Sequence, residues 1–204
     1  MRFYLSSYKV GNKVKKLKEL IPNGKKLGFI PNALDHADLK KREESNERNM
    51  KELIDLGIEV EMLDLKSYFG KEEQLKKKIK ALGGVWIRGG NTFVLRQAMK
   101  LSGFDKIIKS IKRKAFLYGG YSAGICILAP SLKPLQQVDD PNVMPYKELK
   151  EVIWDGLNLL DYIILPHYKS NHPESKDIDK EVLYCKKNKI PFKTLKDGQV
   201  IIIE

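Results

Sequence analysis

The run Gly120-Tyr121-Ser122-Ala123-Gly124 sets a serine among small residues. The spacing is that of a serine nucleophile, G-x-S-x-G. The apolar run Ala115–Tyr118 leads in, and the helix-compatible run Ala123–Leu128 leads out. A strand that turns sharply into a helix lifts the hydroxyl above a sheet and needs small neighbours to do so. The helix N-terminus then aims backbone N–H groups at developing negative charge. A glycine-rich packing turn would use the same five residues, but the strand-then-helix context favours Ser122 as a nucleophile.

A serine needs a base, and histidine is the usual one. Three histidines are present: His36, His167 and His172. His36 opens a helical stretch in a polar loop, and His172 stands in the turn-like Ser170-Asn171-His172-Pro173. His167 follows the expected strand Tyr162–Leu165 directly, the place from which a side chain reaches a strand-end serine. His167 is therefore the expected base. Three scattered histidines and two cysteines outside any CxxC pair, Cys126 and Cys185, suggest neither a zinc site nor a disulfide framework. No metal or cofactor is expected.

An oxyanion hole needs two convergent N–H groups. One is expected from Ala123, next after the nucleophile. The second is expected from the loop Arg88-Gly89-Gly90-Asn91-Thr92, where glycine permits close backbone approach. The same loop could cradle a phosphate, but the G-x-G-x-x-G and P-loop spacings are both absent. The acid is more open. Asp197 stands in a tight turn between two short apolar runs, Phe192–Leu195 and Val200–Ile203, where a carboxylate can be held rigidly against a histidine ring. Asp-Gly is also a common hairpin dipeptide with no catalytic role. Asp139, Asp140, Asp155 and Asp161 lie between Ser122 and His167 and are rival acids.

Trp86-Ile87-Arg88-Gly89-Gly90-Asn91-Thr92-Phe93, Gly120–Gly124 and Leu165-Pro166-His167-Tyr168 occur in the order and at the separations of the dipeptidase E family of serine peptidases. That family includes alpha-aspartyl dipeptidase and, more distantly, cyanophycinase. The resemblance runs from the first strand to Asp197-Gly198. It implies a fold like the class I glutamine amidotransferases, with serine in place of cysteine. It implies Ser122 as nucleophile, His167 as base, and Gly89 or Gly90 with Ala123 as oxyanion hole. The family's third member is a glutamate in a strand–turn–strand near the C-terminus, and Asp197 stands there, one methylene shorter. Arg88, Asn91, Tyr168 and Lys169 are the expected substrate contacts; Lys176 is a further candidate cation. The segment Pro130–Asp140 departs from the substrate-side pattern of the aspartyl dipeptidases, so aspartyl specificity does not carry over.

The elements that must position these residues alternate. Strands are expected at Arg2–Ser6, Lys26–Ile30, Ile58–Leu63, Val85–Ile87, Ala115–Tyr118, Tyr162–Leu165, Phe192–Leu195 and Val200–Ile203, the last two flanking a hairpin-type turn. Helices are expected at Asp38–Leu56, with Leu39, Met50, Leu53, Ile54 and Leu56 as its apolar stripe, and at Lys71–Leu82, Thr92–Lys100, Phe104–Lys114, Ala123–Leu128 and Asp177–Lys187. Alternation of this kind predicts an α/β fold: a three-layer, mostly parallel sheet with helices on both faces. Sites in such sheets lie beyond the carboxyl ends of the strands.

Composition removes other classes. The 204 residues suit one domain over 1–204, and 42% hydrophobic with 31% charged residues is a globular mix. The net charge of +12 invites a nucleic-acid reading, yet only six of the 38 basic residues are arginine, and the lysines are mixed with acids. Base reading and bidentate phosphate contacts favour arginine, so no nucleic-acid partner is expected. No run approaches the roughly 18–20 apolar residues of a membrane span, and the start is not a signal peptide. The expected protein is a cytoplasmic serine hydrolase acting on short peptides. An esterase or amidase on the same scaffold, or a catalytically silent binding module, are the rivals.

Overall fold

The computed structural model describes residues 1–204. Eight strands and seven α-helices follow one another as β1 (Arg2–Ser6), α1 (Val14–Leu20), β2 (Leu27–Ile30), α2 (Leu39–Asp55), β3 (Val60–Met62), α3 (Glu72–Ala81), β4 (Gly84–Ile87), α4 (Thr92–Ser102), α5 (Phe104–Ser110), β5 (Leu117–Tyr121), α6 (Ala123–Cys126), β6 (Ile163–Leu165), α7 (Ser175–Lys187), β7 (Phe192–Thr194) and β8 (Val200–Ile203). Six strands form one sheet in the order β3-β2-β4-β5-β1-β8. All neighbours are parallel except β8, which runs antiparallel to β1. No helix is long and apolar enough to cross a membrane.

Period-two alternation feeds two cores, one on each face of this sheet. Phe3, Leu5, Val85, Ile87 and Tyr118 point to the face covered by α3 to α7. Tyr4, Leu27, Phe29, Trp86, Leu117 and Tyr121 point to the other face, under Leu17 and Leu20 of α1 and Leu53 of α2. Buried on both sides, the central strands read as near-continuous apolar runs, as parallel sheets require. The expected three-layer α/β architecture is the one observed.

Several boundaries differ from the sequence expectation. The strand before the nucleophile spans Leu117–Tyr121, because β4 and β1 pair with it on both sides and override the low strand propensity of Gly119 and Gly120. The helix expected to reach Lys114 stops at Ser110, the one expected to reach Leu128 stops at Cys126, and α1 was not expected. In α2, Leu39 and Ile54 are exposed, while Asn46 and Leu53 are buried. The largest difference concerns Asp197-Gly198. β7 pairs in parallel with β6 as a separate two-stranded sheet, whereas β8 joins the main sheet. The turn therefore links two sheets and is not a hairpin.

Candidate active site

Ser122 is the hinge between β5 and α6. Its backbone lies at φ 49° and ψ −122°, a region that costs a non-glycine residue about 1–3 kcal/mol. The surroundings enforce it. The Ser122 N–H donates to the Ser7 carbonyl at 3.2 Å, and its own carbonyl accepts from Ile125 and Cys126 at 2.8 and 3.0 Å. A Cβ at Gly124 would stand 2.3 Å from the Ile87 carbonyl oxygen, and one at Gly89 would stand 2.8 Å from Cβ of Ser122. Glycine is required at both, at Gly124 by the close Ile87 backbone and at Gly89 by the Ser122 and Tyr121 side chains.

His167 follows β6 by two residues and also has a positive φ, 58°. The β6–β7 pairing continues past the strands: Leu195 N–H donates to the Leu165 carbonyl and Tyr168 N–H to the Leu195 carbonyl, both at 3.0 Å. This zipper brings Asp197 beside His167, and Nδ1 of His167 lies 2.7 Å from Oδ1 of Asp197. Ser7, at the end of β1, ties both. Its Oγ accepts the His167 N–H at 2.9 Å and donates to Oδ1 of Asp197 at 3.0 Å. The Asp197 N–H in turn donates to Oγ of Ser170 at 2.8 Å. Burial holds the His167 pKa below the ordinary histidine value; the bond to Asp197 opposes that shift and the neighbouring His172 adds to it.

Ser122 and His167 face one cavity of about 340 Å³. Arg88, Gly89 and Gly90 line it too, with Tyr8, Lys9, Arg48 and Glu52. Gly90, at φ 143°, has an N–H with no acceptor in the protein. Ala123 opens α6, where a helix leaves its first amides unpaired. Tyr8 stands edge-on to His167 and His172 at 5.8 and 5.5 Å between ring centroids.

The other residues singled out from sequence lie as follows. The Arg88 guanidinium is buried and held by Oδ1 of Asn46, Oγ of Ser45 and the Gly89 carbonyl. Asn91 caps α4, accepting from Phe93 and Val94 N–H, and donates to the Asp140 carbonyl. Tyr168 and Lys169 stack on each other with Nζ 5.2 Å from the ring, and neither lines the cavity, nor does Lys176. Among the rival acids, Asp139 accepts the Thr92 N–H at 2.8 Å, and the Asp155 carbonyl accepts from Arg96. Asp197 is the acid whose carboxylate meets His167. Sequence reasoning missed Ser7, Tyr8, Lys9 and Arg48. The available signal was position, since Ser7, Tyr8 and Lys9 directly follow the first strand.

Comparison with known proteins gives the family. Residues 6–204 match peptidase family S51. An uncharacterised peptidase of Listeria monocytogenes is 32% identical over 169 residues, which cover 82% of this chain and 77% of the relative. Peptidase E of Streptomyces coelicolor is 28% identical over 190 residues, 90% of this chain and 70% of that one. The crystal structure of a candidate peptidase E from Listeria monocytogenes EGD-e superposes with a TM-score of 0.76 at 27% identity, covering 99% of this chain and 93% of its own. On the match across nearly its whole length, this chain belongs to peptidase family S51 and is a peptidase.

Proposed function

We propose that the protein is a serine-type peptidase for short peptides, working through a Ser122–His167–Asp197 triad and an acyl-enzyme. The observation that carries this reading is that Ser122 and His167 share one cavity while the far ring nitrogen of His167 sits 2.7 Å from Asp197. Asp197 fixes the tautomer with the proton on Nδ1, which leaves Nε2 as the base. His167 takes the Ser122 proton as Oγ attacks the scissile carbonyl. The oxyanion is met by the N–H groups of Gly90 and Ala123. His167 then protonates the leaving amine, and water releases the acyl group by the same steps in reverse. No metal or cofactor enters.

A cavity of this size is at the low end for ligand pockets and suits a short peptide. Lys9 and Arg48 on its wall supply positive charge for a substrate carboxylate. The two free, buried cysteines fit a reducing compartment, the cytoplasm. The lysine surface pairs with acids, as in Lys51–Asp55 and Lys78–Glu61, and no nucleic-acid partner is proposed. A dipeptide panel run on wild type and Ser122→Ala tests the reading. Hydrolysis of some dipeptides by wild type and none by the variant is expected; equal activity in both would remove Ser122 from the mechanism.

A further inference from the structure

Two of the three histidines meet at this cavity, and Glu174 lies beside them. One possible ligand atom from each of His167, His172 and Glu174 lies within 4.8 Å of the others. The proposed mechanism uses only the first of the three.

We propose that His167, His172 and Glu174 form a binding site for a divalent transition-metal ion of the zinc type, and that the bound ion switches the peptidase off. The donor set, two imidazoles and a carboxylate, suits zinc, nickel or copper and not magnesium or calcium. It is also the three-ligand set that leaves a fourth position open, here toward the cavity. His167 is already oriented as a ligand. Its Nδ1 faces Asp197 at 2.7 Å, the carboxylate–histidine arrangement that holds a metal-binding ring in place and leaves Nε2 for the ion. Nδ1 of His172 lies 3.9 Å from Oε2 of Glu174 and now accepts the Glu174 N–H at 3.3 Å, so its lone pair is released to an ion only when the ring turns. Two ligands of a tetrahedral zinc ion stand about 3.3 Å apart, so the gap between His172 and Glu174 closes within the same movement that frees the His172 ring.

One adjustment is required. The rings of His167 and His172 are stacked, 3.7 Å between centroids at 9°, and one ion cannot lie in the plane of both. The His172 ring must turn out of the stack. It is free to do so, because it belongs to the turn before α7 and is held by an edge-on Tyr8 and one long hydrogen bond, from the Glu174 N–H at 3.3 Å. An ion on Nε2 of His167 occupies the lone pair that Ser122 needs. Inhibition therefore rests on the function proposed above, whereas binding does not.

The test separates the two. Ser122→Ala protein, which keeps all three ligands, is titrated with Co²⁺ alone by calorimetry and visible absorption. One equivalent with the intense bands of a low-coordinate nitrogen–oxygen site is expected. His172→Ala and Glu174→Gln, each added to that background and checked by melting temperature, should weaken binding by about tenfold or more. In the wild type, Zn²⁺ should inhibit dipeptide hydrolysis and EDTA restore it. His172→Ala alone should raise the half-inhibiting Zn²⁺ concentration by about tenfold or more. The site is overturned if Ser122→Ala takes up no cobalt, or if both ligand variants bind as tightly as their parent, which would place the ion elsewhere, for example at His36. The switch is overturned if zinc binds and hydrolysis continues. A wild type that binds cobalt but hydrolyses no peptide would instead overturn the proposed function and leave the site standing.

Discussion

The Ser7 hydroxyl donates to the same oxygen of Asp197, Oδ1, that faces the His167 ring. The carboxylate oxygen is thus held from two sides, and the hydroxyl also receives the His167 main chain. Ser7→Ala removes both ties. Charge-assisted bonds of this kind contribute about 1.5–3 kcal/mol, and loss of precise orientation alone can cost on the order of 10² in rate. The expected outcome is a fall of about 10–100-fold in kcat with little change in KM. Steady-state kinetics on one dipeptide decides it, and an unchanged kcat would remove Ser7 from the positioning machinery.

Asp197→Asn keeps the size and the turn but removes the charge that stabilises the imidazolium. A rate loss on the order of 10³–10⁴ is expected. Oδ1 of an asparagine can still accept from Ser7 and from Nδ1 of His167, so the melting temperature should move little. A variant within tenfold of wild type would send the search to the other acids.

Legibility in the sequence divides along local and distant lines. The strand-to-helix turn at Ser122 could be read because it is a local pattern, and the strand-end position of His167 for the same reason. Asp197 could be read as the candidate acid from its rigid turn and the family resemblance, with four rival acids left open. Its neighbours suggested a hairpin, and that failed because β7 and β8 each found a better partner elsewhere: β6 in parallel and β1 antiparallel. Strand partners are set by the whole sheet, which no dipeptide encodes. Ser7 was illegible for the same reason, since a serine after a strand acquires a role only when β1 is laid beside β5. α1 was missed because its short run carries just Leu17 and Leu20 as buried residues, too few for a clear period.

Activity should rise with pH as His167 loses its proton. Burial lowers the pKa of this ring, so the neutral, basic form persists to more acid pH than an ordinary histidine allows. The midpoint of kcat/KM is expected below about 6.5. A pH–rate profile with its midpoint above neutrality would contradict this assignment of the base.

Gly89→Ala should inactivate without any change of charge. The added methyl would meet Cβ of Ser122 at 2.8 Å and the Tyr121 ring at 2.9 Å. Either the serine or the loop must shift, and displacement at a reacting centre costs on the order of 10² in rate. Full activity in the alanine variant would show that the loop and the serine do not have to touch.

Asp139 offers a test on stability. Burial raises its carboxyl from 3.8 to about 6. Between those values the folded state holds a proton that the unfolded state has lost, so stability falls as pH rises through this window. The penalty is complete above about 6. At 1.36 kcal/mol per unit it amounts to about 3 kcal/mol. Asn can still accept the Thr92 N–H, so Asp139→Asn should raise the melting temperature at pH 7–8 and lose that gain near pH 4. A gain independent of pH would point to packing instead of charge.

On the mechanism proposed above, the separation of β7 from β8 sets when a complete triad can form during synthesis. The ribosome delivers the serine first, the histidine 45 residues later and the carboxylate 30 residues after that, as the numbers 122, 167 and 197 show. β8 must then pair back with β1, near the other end of the chain, before the turn carrying Asp197 is anchored at both ends. On the proposed mechanism, a nascent chain that ends at β6 would hold the serine without an oriented base. Under the proposed triad, hydrolysis would therefore require the turn at Asp197 to be in place, and a half-made molecule would not cut the peptides around it.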